Sequence, residues 1–227
     1  MSTAAPVVTI DGPVGSGKGT ISTRLAEKLG WHFLDSGALY RLVALRALAL
    51  AIDPDDHAAL EQAARALDCQ FAFDGKETQV WLEGADVTLA LRREETSVMA
   101  SRVAAVPAVR RALVQRQRDF RQPPGLVADG RDMGTVIFPD AELKLFLTAS
   151  TQARAERRYK QLKEKGESVN LPRLFRDLEE RDRRDSSREV APLKPAEDAM
   201  IIDSTELEIN EVVEEAYKAV KKKLPNI

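Results

Sequence analysis

Short runs of apolar residues recur along the chain and predict buried β-strands. The first is "VVTID" at residues 7–11, and like the others it is continuous rather than alternating. Continuous runs of Val, Ile and Leu suit parallel strands that are covered on both faces. Helical patterns separate the runs, so the chain is predicted to form an α/β fold with a doubly wound parallel sheet. The other predicted strands are "LVAD" at 126–129, "LKLFLTA" at 143–149, "AMIID" at 199–203 and a weaker "HFLDS" at 32–36.

Two segments depart from this pattern. Residues 68–90 alternate apolar and polar positions and contain the turn signals "DGK" and "EG", so they predict a small antiparallel meander inserted in the fold. Residues 154–166, "RAERRYKQLKEKG", predict a helix that is dense in charge and has little apolar stripe. Such a helix is either a mobile flap or a solvated surface helix.

The composition indicates a globular protein. The chain has 227 residues, of which 44% are apolar and 31% charged, and it can bury a substantial core. Its net charge of -2 argues against binding to nucleic acid mainly through counterion release. The single cysteine, Cys69, is expected to be a buried thiol, and no apolar run reaches the roughly 18 residues of a membrane span. We therefore expect a cytoplasmic protein that binds neither nucleic acid nor membranes.

A glycine-rich stretch directly after the first strand predicts a phosphate site. Gly12, Gly17 and Lys18 belong to the pattern G-x-x-x-x-G-K, between a buried strand and the start of a helix, as a P-loop requires. Glycines allow positive φ angles that turn backbone N–H groups towards an anion, and the helix N-terminus adds its dipole. The hydroxyl usually found after the lysine is replaced by Gly19. The predicted ATP-binding residues of this loop are Gly12, Pro13, Val14, Gly15, Ser16, Gly17, Lys18, Gly19 and Thr20.

The loop and three further motifs carry a resemblance to a known family. The loop "GPVGSGKGT" resembles that of the nucleoside monophosphate kinases. The other three motifs resemble those of bacterial cytidylate kinases, and they are "LDSGALYR" at 34–41, "ADGRDMGTVIFPDA" at 128–141 and "ERDRRDSSREVAPLKPAEDA" at 180–199. The resemblance extends over about residues 6–220. The resemblance implies transfer of the γ-phosphoryl group of ATP to CMP or dCMP with Mg²⁺, in pyrimidine nucleotide metabolism, by a monomer.

The chain is expected to form a single kinase unit over residues 1–227. Within this unit, three regions with different roles are expected. The P-loop core, with three layers, would comprise residues 1–40, 92–150 and 168–227. Residues 41–91 would be the monophosphate-binding region that carries the β insertion. Residues 151–167 would be a helical lid.

Arginines recur where such a reaction would need them, because phosphoryl transfer depends mainly on aligning two polyanions and neutralising charge. Arg131 follows the end of the predicted strand "LVAD". Further along the chain, one helix face carries Arg154, Arg157 and Arg158, at i, i+3 and i+4. The three lid arginines are far along the chain from the loop, so we expect them to reach the phosphates only when the lid closes. The predicted catalytic residues are Lys18, Arg131, Arg154 and Arg158, and Arg157 joins the ATP-binding set.

Residues for the acceptor nucleotide come mostly from the resemblance. Arg181, Asp185 and Arg188 also share a helix face by their spacing of i, i+4 and i+7, although a solvated salt-bridge ladder would have the same spacing. The resemblance places Arg181 and Asp185 at the ribose and Asp132 in the cytosine pocket. The predicted CMP-binding residues are Ser36, Tyr40, Arg41, Ser101, Arg110, Arg131, Asp132, Arg181, Asp185 and Arg188.

One carboxylate is a candidate metal ligand. Asp129 lies at the carboxyl end of "LVAD", where ligands bind in open parallel sheets, and it is predicted to hold Mg²⁺ directly or through water. Thr20 would supply a hydroxyl near the metal. Capping of the following helix is the alternative role for Asp129.

Other functions remain to be weighed against this one. A GTPase switch would need a guanine-reading N-K-x-D string, which the chain lacks. A regulatory ATP-binding module would explain the loop but not the arginine clusters. Within the kinases, UMP is the alternative acceptor, followed by AMP or a small-molecule alcohol.

Overall fold

The structure is a computed structural model that describes residues 4–73, 78–164, 166 and 168–225. The chain divides into two compact units, one formed by Met1–Asp35 with Gln117–Ile227 and the other by Ser36–Arg116. The strands are β1 Val7–Asp11, β2 His32–Asp35, β3 Cys69–Phe73, β4 Thr78–Leu82, β5 Ala85–Asp86, β6 Leu126–Gly130, β7 Leu143–Thr148 and β8 Met200–Asp203. The helices are α1 Lys18–Leu29, α2 Ser36–Ala49, α3 His57–Arg65, α4 Glu94–Val103, α5 Pro107–Arg118, α6 Thr151–Glu164, α7 Leu171–Ser186 and α8 Ile209–Lys223.

The first unit is built on a five-stranded sheet with the strand order β2-β6-β1-β7-β8. All four pairings are parallel, and β1 pairs with both β6 and β7. All five residues of β1 are buried, because this central strand is covered on both faces. The predicted parallel sheet is therefore confirmed, with all five predicted strands present.

Helices cover this sheet with their apolar faces. In α1, Ile21 and Leu25 are buried in the main core cluster, and in α8 the same cluster takes up Val212 and Val220. The helix α1 ends at Gly30, which adopts the left-handed conformation that ends many helices. Because parallel strands all end at one edge, the loops after β1, β2, β6 and β7 emerge at that edge of the sheet.

The second unit contains α2, α3, α4 and a three-stranded antiparallel sheet of order β3-β4-β5. The register pairs Cys69 with Leu82 and Leu82 with Ala85, so β4 and β5 are joined by a two-residue turn. Both turn residues, Glu83 and Gly84, have positive φ angles, as a type I′ hairpin turn requires. The predicted meander and its "EG" turn are confirmed, whereas the "DGK" turn at 74–76 lies outside the described residues.

The two compact units do not coincide with the predicted regions. The second unit begins at Ser36 and ends at Arg116, so it includes residues 92–116, which the sequence analysis assigns to the core. Compactness does not test the functional division, which stays a prediction. In the predicted lid, α6 covers 151–164, while Lys165 and Glu167 lie outside the described residues. None of the described helices is long and apolar enough to cross a membrane.

Candidate active site

The P-loop connects the carboxyl end of β1 to the start of α1. Gly12, Gly15 and Gly17 have φ angles of 151°, 79° and 91°, which residues with a Cβ rarely adopt. At Gly12 a Cβ would also lie 2.0 Å from the carbonyl oxygen of Leu147 in β7. The turn thus requires all three glycines, and the close packing of the loop against the sheet also requires Gly12.

Lys18, the first residue of α1, is buried with only 5% of its surface exposed. Its Nζ donates to the carbonyl of Pro13 at 2.7 Å and lies 3.5 Å from Oγ of Ser16. Burial, and to a smaller extent the charge of Arg131, lower the pKa of Lys18 to about 7, against the opposing effect of nearby carboxylates such as Asp129. A negatively charged ligand at the loop would therefore stabilise the charged form of the Lys18 amine.

The predicted metal-binding residues lie on either side of Gly19. A Cβ on Gly19 would be 3.6 Å from Oδ2 of Asp129, so this carboxylate lies beside the residue between Lys18 and Thr20. Asp129 is buried in β6, and Thr20 is exposed in the first turn of α1. The structure thus brings the Asp129 carboxylate to the start of the helix that carries the Thr20 hydroxyl.

A cluster of two arginines and one aspartate lies beyond the end of β6. The Nε of Arg131 donates to Oδ2 of Asp185 at 3.0 Å, and a terminal nitrogen of Arg188 lies 3.1 Å from the other carboxylate oxygen. Burial acts to raise the pKa of Asp185, but the charges of Arg131, Arg188 and Arg181 outweigh it and hold the pKa below its usual value. Asp185 is therefore an anion at neutral pH.

The helical spacing used to group these residues is wrong for Arg188. The helix α7 ends at Ser186, so Arg188 does not continue its face at i+7. Its side chain nevertheless contacts Asp185, because Nε of Arg188 also donates to the backbone oxygen of Asp185 at 3.1 Å. The contact forms where the chain turns out of the helix.

Asp11 is an anchor that the sequence analysis did not include among the site residues. Its two carboxylate oxygens accept hydrogen bonds from the backbone N–H groups of Met133 at 2.9 Å and Gly134 at 2.8 Å. Burial raises the pKa of Asp11 to about 7 in spite of these two hydrogen bonds. The residue fixes the turn that follows Asp132, which is itself buried. A carboxylate at the end of a predicted buried strand was the signal for it.

The three arginines of α6 have different surroundings. Arg154 is 3% exposed and donates to the carbonyl of Val14 in the P-loop at 2.9 Å. Arg157 donates to the backbone oxygens of Ser204 and Thr205, and Arg158 is half-buried. Packing of α6 brings Arg154 to the loop, and the expectation that the three arginines reach the phosphates only when a lid closes stays a prediction.

Five of the predicted CMP-binding residues lie in the second unit, and they form part of its interior. The guanidinium of Arg110 lies 5.4 Å from the ring centre of Tyr40 and donates to the carbonyl of Ala104. Ser101 is buried, and its hydroxyl forms no hydrogen bond with the described parts of the chain. The other two are Ser36, the buried first residue of α2, and the half-buried Arg41. The remaining five belong to the first unit: Arg131, Asp132, Arg181, Asp185 and Arg188.

Comparison with known proteins identifies the family. The family profile described as cytidylate kinase matches residues 8–222. A protein named cytidylate kinase from Aeromonas salmonicida is 58% identical over 213 residues, covering 94% of this chain and 93% of its own. Proteins of the same name from Shewanella loihica and Bordetella bronchiseptica are 55% and 59% identical, covering 100% and 93% of this chain and 99% and 93% of their own. With a P-loop on a parallel sheet and a match over nearly its whole length, the chain belongs to the cytidylate kinase family, as the sequence motifs predicted.

Proposed function

We propose that this protein transfers the γ-phosphoryl group of ATP to CMP or dCMP, giving CDP or dCDP and ADP. The observation that carries the proposal is the family match over residues 8–222. In agreement with it, the P-loop lysine, Lys18, is buried and its pKa is affected by the charge of Arg131. We also propose that the protein is a cytoplasmic monomer that works in pyrimidine nucleotide metabolism. Residues 151–167 would act as a lid.

ATP is proposed to bind with its phosphates on the P-loop. The positive φ angles of Gly15 and Gly17 and the absence of acidic residues in the first turn of α1 favour an anion there. Lys18 would exchange its contact with the Pro13 carbonyl for phosphate oxygens. The arriving negative charge would raise the pKa of Lys18 and keep the amine protonated. Arg157 is proposed to contact ATP from α6.

Mg²⁺ is the proposed metal, and the donors at the site fit it. Among the described residues, no three His, Cys, Asp or Glu side chains are grouped so that they could hold a metal ion. Mg²⁺ is commonly bound through one or two carboxylates together with substrate phosphates and water, which matches one carboxylate, Asp129, beside the start of the helix that carries Thr20. The ion would neutralise phosphate charge.

The phosphoryl group is proposed to move in the field of four cations, Lys18, Arg131, Arg154 and Arg158. Charge spreads over the equatorial oxygens in the transition state, so preorganised cations lower the barrier. Arg154 would contribute its charge from its position against the carbonyl of Val14.

CMP is proposed to be recognised by its base, ribose and phosphate separately. The carboxylate of Asp132 would accept from the exocyclic amine of cytosine, helped by Ser36 or Ser101, and Arg110 and Arg188 would donate to O2 and N3. Uracil carries a carbonyl in place of that amine and a proton at N3, so it would be repelled at both positions. Arg181 and Asp185 are assigned to the ribose, and Tyr40, Arg41 and Arg131 complete the CMP set.

A coupled assay for ADP release tests the proposal. Saturating MgATP is offered with CMP, dCMP, UMP or AMP in turn. Wild-type kcat/KM for CMP is expected to exceed that for UMP by at least ~100-fold, because the wrong base leaves buried polar groups unsatisfied. Comparable use of UMP would contradict the proposal.

The variant Asp132→Ala assigns the selectivity to a residue. It is expected to narrow the ratio of CMP to UMP activity, mainly by lowering activity on CMP. An unchanged ratio would remove Asp132 from the base pocket, whatever the total activity.

A further inference from the structure

Arg154 is held by the protein at every one of its N–H donors. A guanidinium has five such donors in one plane. Nε donates to the carbonyl of Ala149 at 3.0 Å, and one terminal nitrogen donates to Val14 at 2.9 Å and to Oδ1 of Asp182 at 3.2 Å. The other terminal nitrogen donates to Oγ1 of Thr151 at 2.9 Å and to Oδ2 of Asp182 at 2.5 Å. The plane of the guanidinium is thus determined by its surroundings.

The side chain of Arg154 lies on the P-loop along its whole length. Its end contacts the carbonyl of Val14, and a Cβ built on Gly15 would lie 3.4 Å from the Cβ of Arg154. The loop therefore packs against the stem of the arginine as well as its charged end. Any rotation of the guanidinium would change its contact with the carbonyl of Val14.

Asp182 is the charged acceptor among the four residues that surround the guanidinium. It lies in α7, one residue after Arg181, and is 24% exposed. Both of its carboxylate oxygens accept from Arg154, and this bidentate pairing is the strongest and most directional contact that an arginine forms. The other three acceptors, two carbonyls and one hydroxyl, are neutral. The ion pair with Asp182 therefore sets the orientation of the guanidinium.

We propose that Asp182 is a positioning residue that holds Arg154 against the P-loop and so shapes the loop for the phosphates of ATP. The proposal rests on the proposed function for the identity of the ligand. The ion pair with Asp182 fixes one edge of the guanidinium and directs the remaining N–H of the shared nitrogen at Val14. Asp182 itself touches no reacting atom.

Binding of a non-hydrolysable ATP analogue with Mg²⁺, measured by calorimetry, tests this directly. The variant Asp182→Asn keeps the size of the side chain but replaces one acceptor oxygen by a donor that faces a donor of Arg154. We expect the affinity for the analogue to fall by roughly tenfold, because small displacements of a binding loop are costly. Asp177→Asn is the matched control, since Asp177 forms an exposed pair at 3.8 Å with Arg173 on the same helix and should keep wild-type affinity.

A double-mutant cycle separates positioning from general loss of structure. In an Arg154→Met background, Asp182→Asn should change the affinity by less than about twofold, because its effect passes through the arginine. The more conservative Asp182→Glu should recover part of the wild-type affinity. Melting temperatures of all variants show whether they remain folded.

Two results would overturn the proposal. An equal loss of affinity in both backgrounds would show that Asp182 acts independently of Arg154. A gain of affinity in Asp182→Asn would show that the carboxylate competes with the nucleotide for the arginine. Because the readout is ATP binding, it stands even if the wild-type protein fails to phosphorylate CMP, a failure that would contradict the proposed function alone.

Discussion

Lys18 at the start of α1 and Arg154 in the first turn of α6 both donate to carbonyls of the P-loop, yet they are buried in different ways. Lys18 contacts the neutral carbonyl of Pro13 and has its pKa lowered to about 7, chiefly by burial. Arg154 contacts Val14 but also has the carboxylate of Asp182. The protein stabilises the charge of the arginine and destabilises that of the lysine.

The difference separates a cation that lacks a paired carboxylate, Lys18, from one whose charge is already paired within the protein, Arg154. A buried charge that nearby carboxylates compensate only in part costs stability, and an arriving phosphate removes that cost. A buried charge with a bidentate partner contributes to holding the fold, because removal of either partner leaves the other uncompensated. The comparison therefore predicts opposite effects on stability when the two cations are removed.

The largest expected effect is on activity, from Lys18→Ala. Loss of a preorganised cation at the transferring phosphoryl group should lower kcat by on the order of 100-fold or more, while the protein stays folded. The measurement is kcat at saturating MgATP and CMP, with the melting temperature as a control. A variant with near wild-type kcat would mean that the P-loop assignment is wrong.

The second effect is on stability, from Arg154→Met. This change leaves Asp182 and the carbonyls of Val14 and Ala149 without the guanidinium, and we expect the free energy of unfolding to fall by about 2 kcal/mol. Urea unfolding without nucleotide measures it. Arg173→Met, on an exposed pair of α7, is the matched control and should cost less than about 0.5 kcal/mol. Equal losses in the two variants would mean that the pair of Arg154 with Asp182 contributes no more to stability than an exposed ion pair.

The smallest effect is the dependence of stability on pH in Lys18→Met. The folded-state pKa of Lys18 is about 7 and the ordinary value is 10.5, so the folded state binds fewer protons than the unfolded state between these values. The cost of burying the charge is therefore fully present below about pH 7 and declines as the pH rises towards 10.5. Without nucleotide, Lys18→Met should raise the melting temperature more at about pH 6 than at about pH 9. A gain that is equal at both pH values would contradict the lowered pKa.

Much of the fold followed from local patterns. The apolar runs marked the five parallel strands, and alternation marked the meander of the second unit. The loop motif marked Gly12 and Lys18, because the positive φ angles of its glycines are a requirement of the loop backbone itself. The motifs also led to the family.

The contacts of the candidate site required the tertiary structure. Asp11 meets Met133 and Gly134, 122 and 123 positions away along the chain, and Arg154 meets Val14 across 140 positions. Helical spacing grouped Arg188 with Arg181, although α7 ends before Arg188 and a turn of the chain makes the contact with Asp185.

The sequence by itself determined which segments form strands, where the phosphate loop lies and to which family the chain belongs, because these depend on residues that are close together along the chain. Only the tertiary structure decided that Lys18 is buried and that Asp182 is the partner of Arg154. The spacing in α7 pointed to Arg181 and Asp185, while Asp182 faces α6. The physical reason is that hydrogen bonds and ion pairs between helices depend on how the helices pack, and the positions of charged residues along each helix leave several pairings open.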